Sequence, residues 1–163
     1  MILYILRHAW AGHYGDPEWP DDAQRPLSPE GRKRFAEVAA ALAARGASPG
    51  IIATSPLVRC RQTAELLAGA ASPKTPIVEL DALQPGSDLP ALVAWTARQA
   101  KEHDEIAWVG HAPDVDRMTA ALVGHAGQIR LAKGAAAAIR FDNEIAIGGG
   151  ELRWLVTAKI LGC

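Results

Sequence analysis

The sequence predicts an α/β protein, in which one mostly parallel sheet carries helices on both faces and an antiparallel strand at one edge. Three observations indicate this fold class. Short apolar runs alternate with segments of helical periodicity over most of the chain. Ser-Pro and Ser-Asp pairs stand where helices are expected to begin. Near the C-terminus, two apolar runs flank the segment DNEIAIGGG, which is typical of a hairpin loop.

The apolar runs are predicted as strands, and a polar loop with Pro and Gly follows the first of them, over residues 13–27. The predicted strands are Met1–Leu6, Ile51–Thr54, Pro76–Leu80, Glu105–Val109, Ala137–Phe141 and Leu152–Ala158.

The first helix is predicted to begin at Ser28-Pro29 and to end at Gly46. Its apolar residues recur at helical spacing, as Phe35, Val38, Ala39 and Leu42. Ser55-Pro56 repeats the start signal, which predicts Ser55 as the N-cap of a second helix. Two further helices are expected after Ser87-Asp88 and after Pro113.

Length and composition favour a single domain, residues 1–163, of a soluble cytoplasmic protein. The 17 basic and 18 acidic residues leave a net charge of −1, so no global field favours nucleic acid or an anionic membrane. No apolar run approaches the length of a membrane helix. The two cysteines, Cys60 and Cys163, have no metal-binding spacing, and a structural disulfide is not expected. We expect no metal and no cofactor.

Polar residues gather where the predicted strands end. Arg7 and His8 follow the first strand, Ser55 and Arg59 follow the second, and His111 follows the fourth. Ligands of open α/β sheets bind at the carboxyl ends of the strands. Guanidinium groups match phosphate oxygens with paired donors, and a neutral imidazole can attack phosphorus. The sequence therefore predicts a phosphoryl-transfer site that needs no metal.

The motifs LRHA, RPLSPEG, TSPLVRCRQTAELL, LQPGSDL and WVGHAPDV resemble those of the histidine phosphatase (phosphoglycerate-mutase-like) superfamily in order and spacing. The resemblance spans nearly the whole chain and is closest to the SixA-type phosphohistidine phosphatases. It implies a phosphoglycerate-mutase-like fold. It also implies that His8 is the nucleophile and that Arg7, Arg59 and His111 complete the phosphate pocket. Arg25 would provide a further phosphate contact or support the loop.

The chain departs from the family pattern at two places. Ala9 stands where the commoner tripeptide is Arg-His-Gly, and alanine would be strained there if its φ were positive. Larger members carry a glutamate as general acid after the third strand, whereas LDALQPGSD contains none. The carboxylates available as a general acid are Asp81, Asp88, Asp16 and Asp22.

The expected function is therefore a metal-independent phosphatase with a phosphohistidine intermediate, acting on phosphohistidine in a signalling or phosphotransfer protein. A phosphoramidate leaving group needs less protonation than an alkoxide, which fits the missing glutamate. Two alternatives remain: a phosphomonoesterase for small phosphate esters, and a module that binds phosphoproteins without hydrolysis. The sequence does not indicate the oligomeric state.

Overall fold

The computed structural model describes residues 1–163 and contains one six-stranded sheet with five helices. The strands are β1 (Ile2–Arg7), β2 (Ile51–Thr54), β3 (Ile77–Glu79), β4 (Glu105–Gly110), β5 (Ala136–Arg140) and β6 (Glu151–Val156). The helices are α1 (Pro29–Ala43), α2 (Val58–Ala71), α3 (Leu89–Gln99), α4 (Asp114–Leu122) and α5 (Ala158–Leu161). Short 3₁₀ turns lie at Asp22–Gln24 and Asp81–Leu83.

The strand order from one edge of the sheet to the other is β3-β2-β4-β1-β5-β6. The pairs β3/β2, β2/β4 and β4/β1 are parallel, whereas β5 runs antiparallel to both β1 and β6. The loop predicted from DNEIAIGGG does connect the hairpin β5–β6 at this edge. The predicted fold class, a mostly parallel sheet with antiparallel pairing at one edge, is confirmed.

The central strands are apolar and buried over nearly their whole length, because helices cover both faces of the sheet. On one face, α1 and α2 pack against the sheet through Phe35, Leu42 and Leu67. On the other face, α3 and α4 contribute Leu92 and Leu122. The sheet is thus held between two apolar layers, and its polar groups are left to the strand ends.

Three helix starts were predicted from serine or aspartate residues, and two of them are confirmed. The Ser28 hydroxyl accepts the Gly31 N–H at 3.0 Å, and Asp88 accepts the Ala91 N–H at 3.0 Å. The prediction of Ser55 as an N-cap is wrong. Helix α2 begins at Val58 with Leu57 in the cap position, because residues 55–57 stay non-helical between β2 and the helix. None of the helices is both long and apolar enough to cross a bilayer.

Gly31 and Gly69 both lie within helices but have different surroundings. A methyl group at Gly31 would overlap the carbonyl oxygen of Trp10, which is fixed because it accepts the Ser28 N–H at 3.0 Å. A methyl group at Gly69 would meet nothing within 4 Å.

We therefore expect Gly31→Ala to lower the free energy of unfolding by about 1–3 kcal/mol, because backbone must move to relieve the overlap. Gly69→Ala is the matched control and is expected to raise it by up to about 1 kcal/mol, the usual gain in helix propensity. Urea unfolding of both variants measures whether each substitution lowers or raises the free energy of unfolding. A stabilising Gly31→Ala would contradict the packing described for the start of α1.

Candidate active site

The candidate site lies at the carboxyl ends of β1, β2 and β4. In the β1/β4 register Arg7 lies opposite Gly110, and the His8 N–H donates to the Gly110 carbonyl at 3.0 Å. The two residues that follow these strands, His8 and His111, are buried, with ring centroids 5.3 Å apart and ring planes at 60°. The Ser55 N–H donates to the Val109 carbonyl at 3.0 Å and brings the end of β2 to the same place.

His8 is held in one orientation by its own backbone. Its Nδ1 lies 2.8 Å from the Ala9 carbonyl oxygen, which can only accept, so Nδ1 carries a proton. In the neutral ring, Nε2 then bears the free lone pair. Burial lowers the pKa of His8 to about 3, helped by the positive charges of Arg59 and Arg7 and opposed by the bond to Ala9. His8 is therefore neutral at neutral pH, as a nucleophile requires.

Ala9 occupies its position without backbone strain. Every residue with a positive φ in the structure is a glycine, and the Ala9 side chain is fully buried in the core layer that includes α1 and α2. The Ala9 N–H donates to the Thr63 hydroxyl at 3.1 Å, and that hydroxyl donates to the Arg59 carbonyl at 2.7 Å. Thr63 thus links the backbone beside His8 to the helix that carries Arg59.

Arg7 and Arg59 each have a buried Nε–H without a hydrogen-bond partner. Arg7 donates one terminal N–H to the Leu131 carbonyl at 3.0 Å. Arg59 is 4% exposed and makes two contacts with Asp22, to the carbonyl oxygen at 2.8 Å and to the carboxylate at 3.0 Å. A buried unpaired N–H is costly, by about 1–3 kcal/mol. Arg34, outside the site, has one as well, so it is the position of Arg7 and Arg59 beside His8 that suits them to an anion.

Asp22 joins the loop before α1 to the site. Its carboxylate accepts from the Nε of Arg25 at 2.8 Å as well as from Arg59. These arginines lower the pKa of Asp22 against the opposing effect of its partial burial, so the carboxyl group is ionised at neutral pH. Arg25 also donates to the Gly12 carbonyl. Its observed contacts are therefore those of a loop support.

His111 contacts two buried side chains, Ser55 in the β2–α2 connection and Cys60 in α2. Its Nε2 lies 2.9 Å from the Ser55 hydroxyl and 3.4 Å from the Cys60 sulfur. Burial lowers the pKa of His111 to about 4, and Arg59 lowers it further, whereas Asp114 and Asp22 oppose the shift. His111 is therefore also neutral at neutral pH.

The other three candidate carboxylates serve local structure. Asp16 accepts the Glu18 N–H at 3.0 Å in the exposed loop. Asp81 accepts from the Gln84 amide at 2.8 Å, and Asp88 caps α3. Of the four predicted general acids, only Asp22 contacts a residue of the arginine and histidine cluster.

Sequence reasoning did not assign roles to Thr63 and Asp114, although both lie in the quoted motifs. Asp114 is buried, accepts the Gly86 N–H at 2.8 Å and lies close enough to His111 to affect its pKa. Its signal was the acidic residue three positions after His111 in GHAPD. No group of three or more His, Cys, Asp or Glu side chains is arranged to hold a metal ion.

Because His8 and His111 are buried, we expect the free energy of unfolding to depend on pH. In the unfolded chain they bind protons near pH 6.5, whereas in the folded protein they do so only near pH 3 and 4. Between these values the unfolded chain binds more protons. The free energy of unfolding is therefore at its full value above about pH 6.5 and falls as the pH is lowered, by at most about 1.4 kcal/mol per unit and per histidine.

Replacing His8 by Asn removes one of these groups, so the fall between about pH 6.5 and pH 4 should become shallower. Urea unfolding at several pH values in this range measures the slope. His125→Asn, at an exposed histidine, is the control and should keep the slope of the parent protein. Equal slopes for His8→Asn and the parent would contradict the burial described for His8.

Known proteins share the sequence pattern and the fold of this chain. Residues 3–87 match the model of the histidine phosphatase superfamily (branch 1). An uncharacterised protein of Picosynechococcus sp. is 38% identical over 157 residues, which cover 89% of this chain and 93% of the relative.

Solved structures share the fold at lower identity. The protein histidine phosphatase SixA, complexed with tungstate, superimposes with a TM-score of 0.86 at 22% identity, covering 99% of each chain. A protein assigned as phosphohistidine phosphatase SixA in Agrobacterium tumefaciens gives 0.77 at 22% identity, over 96% of this chain and 97% of the other. A phosphoserine phosphatase mutant of Entamoeba histolytica gives 0.71 at 15% identity, over 97% and 98%. Because the family model matches more than half of the chain, the chain belongs to the histidine phosphatase superfamily.

Proposed function

We propose that the protein is a phosphatase that works through a phosphorylated His8 and removes the phosphoryl group from phosphohistidine in a signalling or phosphotransfer protein. Membership of the histidine phosphatase superfamily supports the phosphatase activity. The substrate class and the residue roles rest on the chemistry of the site.

The observation that carries the proposal is the pair of unpaired Nε–H donors of Arg7 and Arg59 beside the two neutral histidines. Asp22 pairs with Arg25 and Arg59, whereas Arg7 bonds only a carbonyl oxygen, so the cluster keeps an excess of positive charge. A phosphoryl group carries two negative charges and several acceptor oxygens. It satisfies both the charge and the unpaired donors.

The mechanism follows from the orientation of His8. Its Nε2 lone pair attacks phosphorus, the bond to the leaving group breaks, and a phosphorus–nitrogen bond forms to His8. Arg7, Arg59 and His111 donate to the nonbridging oxygens, on which charge is concentrated. Water then attacks phosphorus, the bond to His8 breaks, and inorganic phosphate leaves with the imidazole restored.

The contacts of the carboxylates support phosphohistidine as the substrate. Asp22 is ionised between two arginines, so it has no proton to donate at neutral pH. Asp16, Asp81 and Asp88 are engaged in turns and a helix cap. An imidazole leaves phosphorus with less protonation than an alkoxide does, so a site of this composition suits a phosphoramidate better than a phosphate monoester.

Replacing His8 by Ala should reduce turnover roughly a thousandfold or more, because the nucleophile is lost. Brief incubation of the parent protein with labelled substrate should give a phosphoenzyme whose label is lost in acid and retained in base, as expected for phosphohistidine. Quantitation of labelled protein, with and without acid treatment, measures this.

His125→Ala is the control, since it removes an exposed histidine and should retain both turnover and label. Circular dichroism of each variant reports whether the fold is kept. Label that survives acid, or full turnover by a folded His8→Ala protein, would refute the role of His8.

A substrate panel tests the leaving group. We expect kcat/KM for a protein carrying chemically prepared phosphohistidine to exceed that for phosphoserine, sugar phosphate monoesters and nucleoside monophosphates, because these monoesters have alkoxide leaving groups. Release of inorganic phosphate measures all of them. Preference for a monoester would support the phosphomonoesterase instead. Tight tungstate binding with no turnover of any substrate would support a phosphoprotein-binding module.

A further inference from the structure

We propose that Ser55 is a positioning residue, which donates its hydroxyl proton to Nε2 of His111 and so keeps the proton of the neutral ring on Nδ1. The inference rests on the proposed function only in its consequence for catalysis. Its geometric basis is independent of the substrate.

The contact between Ser55 and His111 is short and shielded from solvent. The hydroxyl oxygen lies 2.9 Å from Nε2, and the two residues are 0% and 4% exposed. They are 56 positions apart in sequence and follow neighbouring parallel strands, β2 and β4. A hydrogen bond enclosed in this way does not compete with water, so it determines which nitrogen carries the proton.

The other groups around the hydroxyl indicate its direction. The Leu57 N–H points to the Ser55 oxygen at 3.4 Å and occupies it as an acceptor. Burial raises the pKa of the Cys60 thiol to about 12, so this neighbour is neutral, and its hydrogen can reach either the Gly110 carbonyl at 3.7 Å or Nε2 of His111 at 3.4 Å. If Ser55 donates to Nε2, each of these groups has a partner. If Nε2 donated instead, the serine proton would be left with only the weakly accepting sulfur.

The two ring nitrogens therefore differ in what they can do. Nδ1 of His111 has no partner closer than the Cys60 sulfur, at 4.0 Å. With Ser55 as donor, Nδ1 carries an N–H that is free to donate to an anionic oxygen in the site. The opposite tautomer would present a lone pair to that oxygen and repel it. Ser55 thus makes a neutral histidine an oxyanion donor without any need to charge it.

The tautomer can be measured directly in the resting protein. Long-range ¹H–¹⁵N correlation spectra of ¹⁵N-histidine-labelled protein, recorded well above pH 4 so that the ring is neutral, distinguish the two nitrogens. We expect a protonated Nδ1 and an unprotonated Nε2 for His111, with the signals assigned through a His111→Gln variant. A protonated Nε2 would overturn the proposal, whatever the activity of the protein.

Ser55→Ala tests the consequence. The His111 signals should shift toward the Nε2-protonated tautomer, which free histidine prefers, and kcat/KM should fall about tenfold to a hundredfold. Thr96→Val is the matched control, because it removes another fully buried hydroxyl, bonded to Trp108 at 3.0 Å in a different part of the core. It should lower stability and leave both the His111 tautomer and kcat/KM unchanged.

The outcomes separate this proposal from the proposed function. An Nδ1-protonated His111 in a protein that hydrolyses no phosphorylated substrate would support the role of Ser55 and refute the phosphatase. Turnover with an unaltered tautomer and unaltered kcat/KM in Ser55→Ala would support the phosphatase and refute the role of Ser55.

Discussion

The parallel pairing of β1 with β4 is the constraint on which the site depends. Its register places Arg7 opposite Gly110, so the next residue of each strand end, His8 and His111, meet side by side. A slip of one residue would turn every side chain of β1 to the opposite face and move Leu3 and Leu6 out of their core layers. The apolar residues of the strand therefore position His8 and His111 indirectly, since the burial that fixes the register also fixes the strand end.

Burial of the two histidines affects both their protonation state and the stability of the folded protein. Removal from water keeps both rings uncharged, and the surrounding guanidinium groups act in the same direction. The same arrangement leaves the Nε–H groups of Arg7 and Arg59 unpaired. Buried unpaired donors cost folding free energy, so this arrangement is maintained at some expense to the folded state.

The sequence was sufficient to predict the fold class and to locate the cluster of Arg7, His8, Arg59 and His111, because strand ends can be recognised from apolar runs and the family motifs fall on them. It was not sufficient for contacts made across the fold. Ser55 has the local pattern of an N-cap, yet its hydroxyl bonds His111 on another strand. Helix α5 was missed because its four residues are too few to display helical periodicity.

Asp22 shows a related limit of sequence reasoning. Its position in a polar loop placed it among four equivalent candidates, and only the folded chain brings it onto Arg59. The pKa that follows from this contact is a property of the arrangement of charges rather than of the loop sequence. Ala9 shows the same limit. Alanine fits there because its φ is not positive, and a sequence motif does not specify that angle.

The loop before α1, residues 13–27, contacts helix α2 through residues in its second half. Asp22 contacts Arg59, and the Leu27 N–H donates to the Gln62 side chain at 2.8 Å, so both attachments reach α2. Residues 13–20 lie ahead of these attachments and are largely exposed. Insertions or exchanges in that stretch can therefore be tolerated while Asp22 and Arg59 stay where they are. The exposed stretch and the cluster of Arg7, His8, Arg59 and His111 are thus free to change separately.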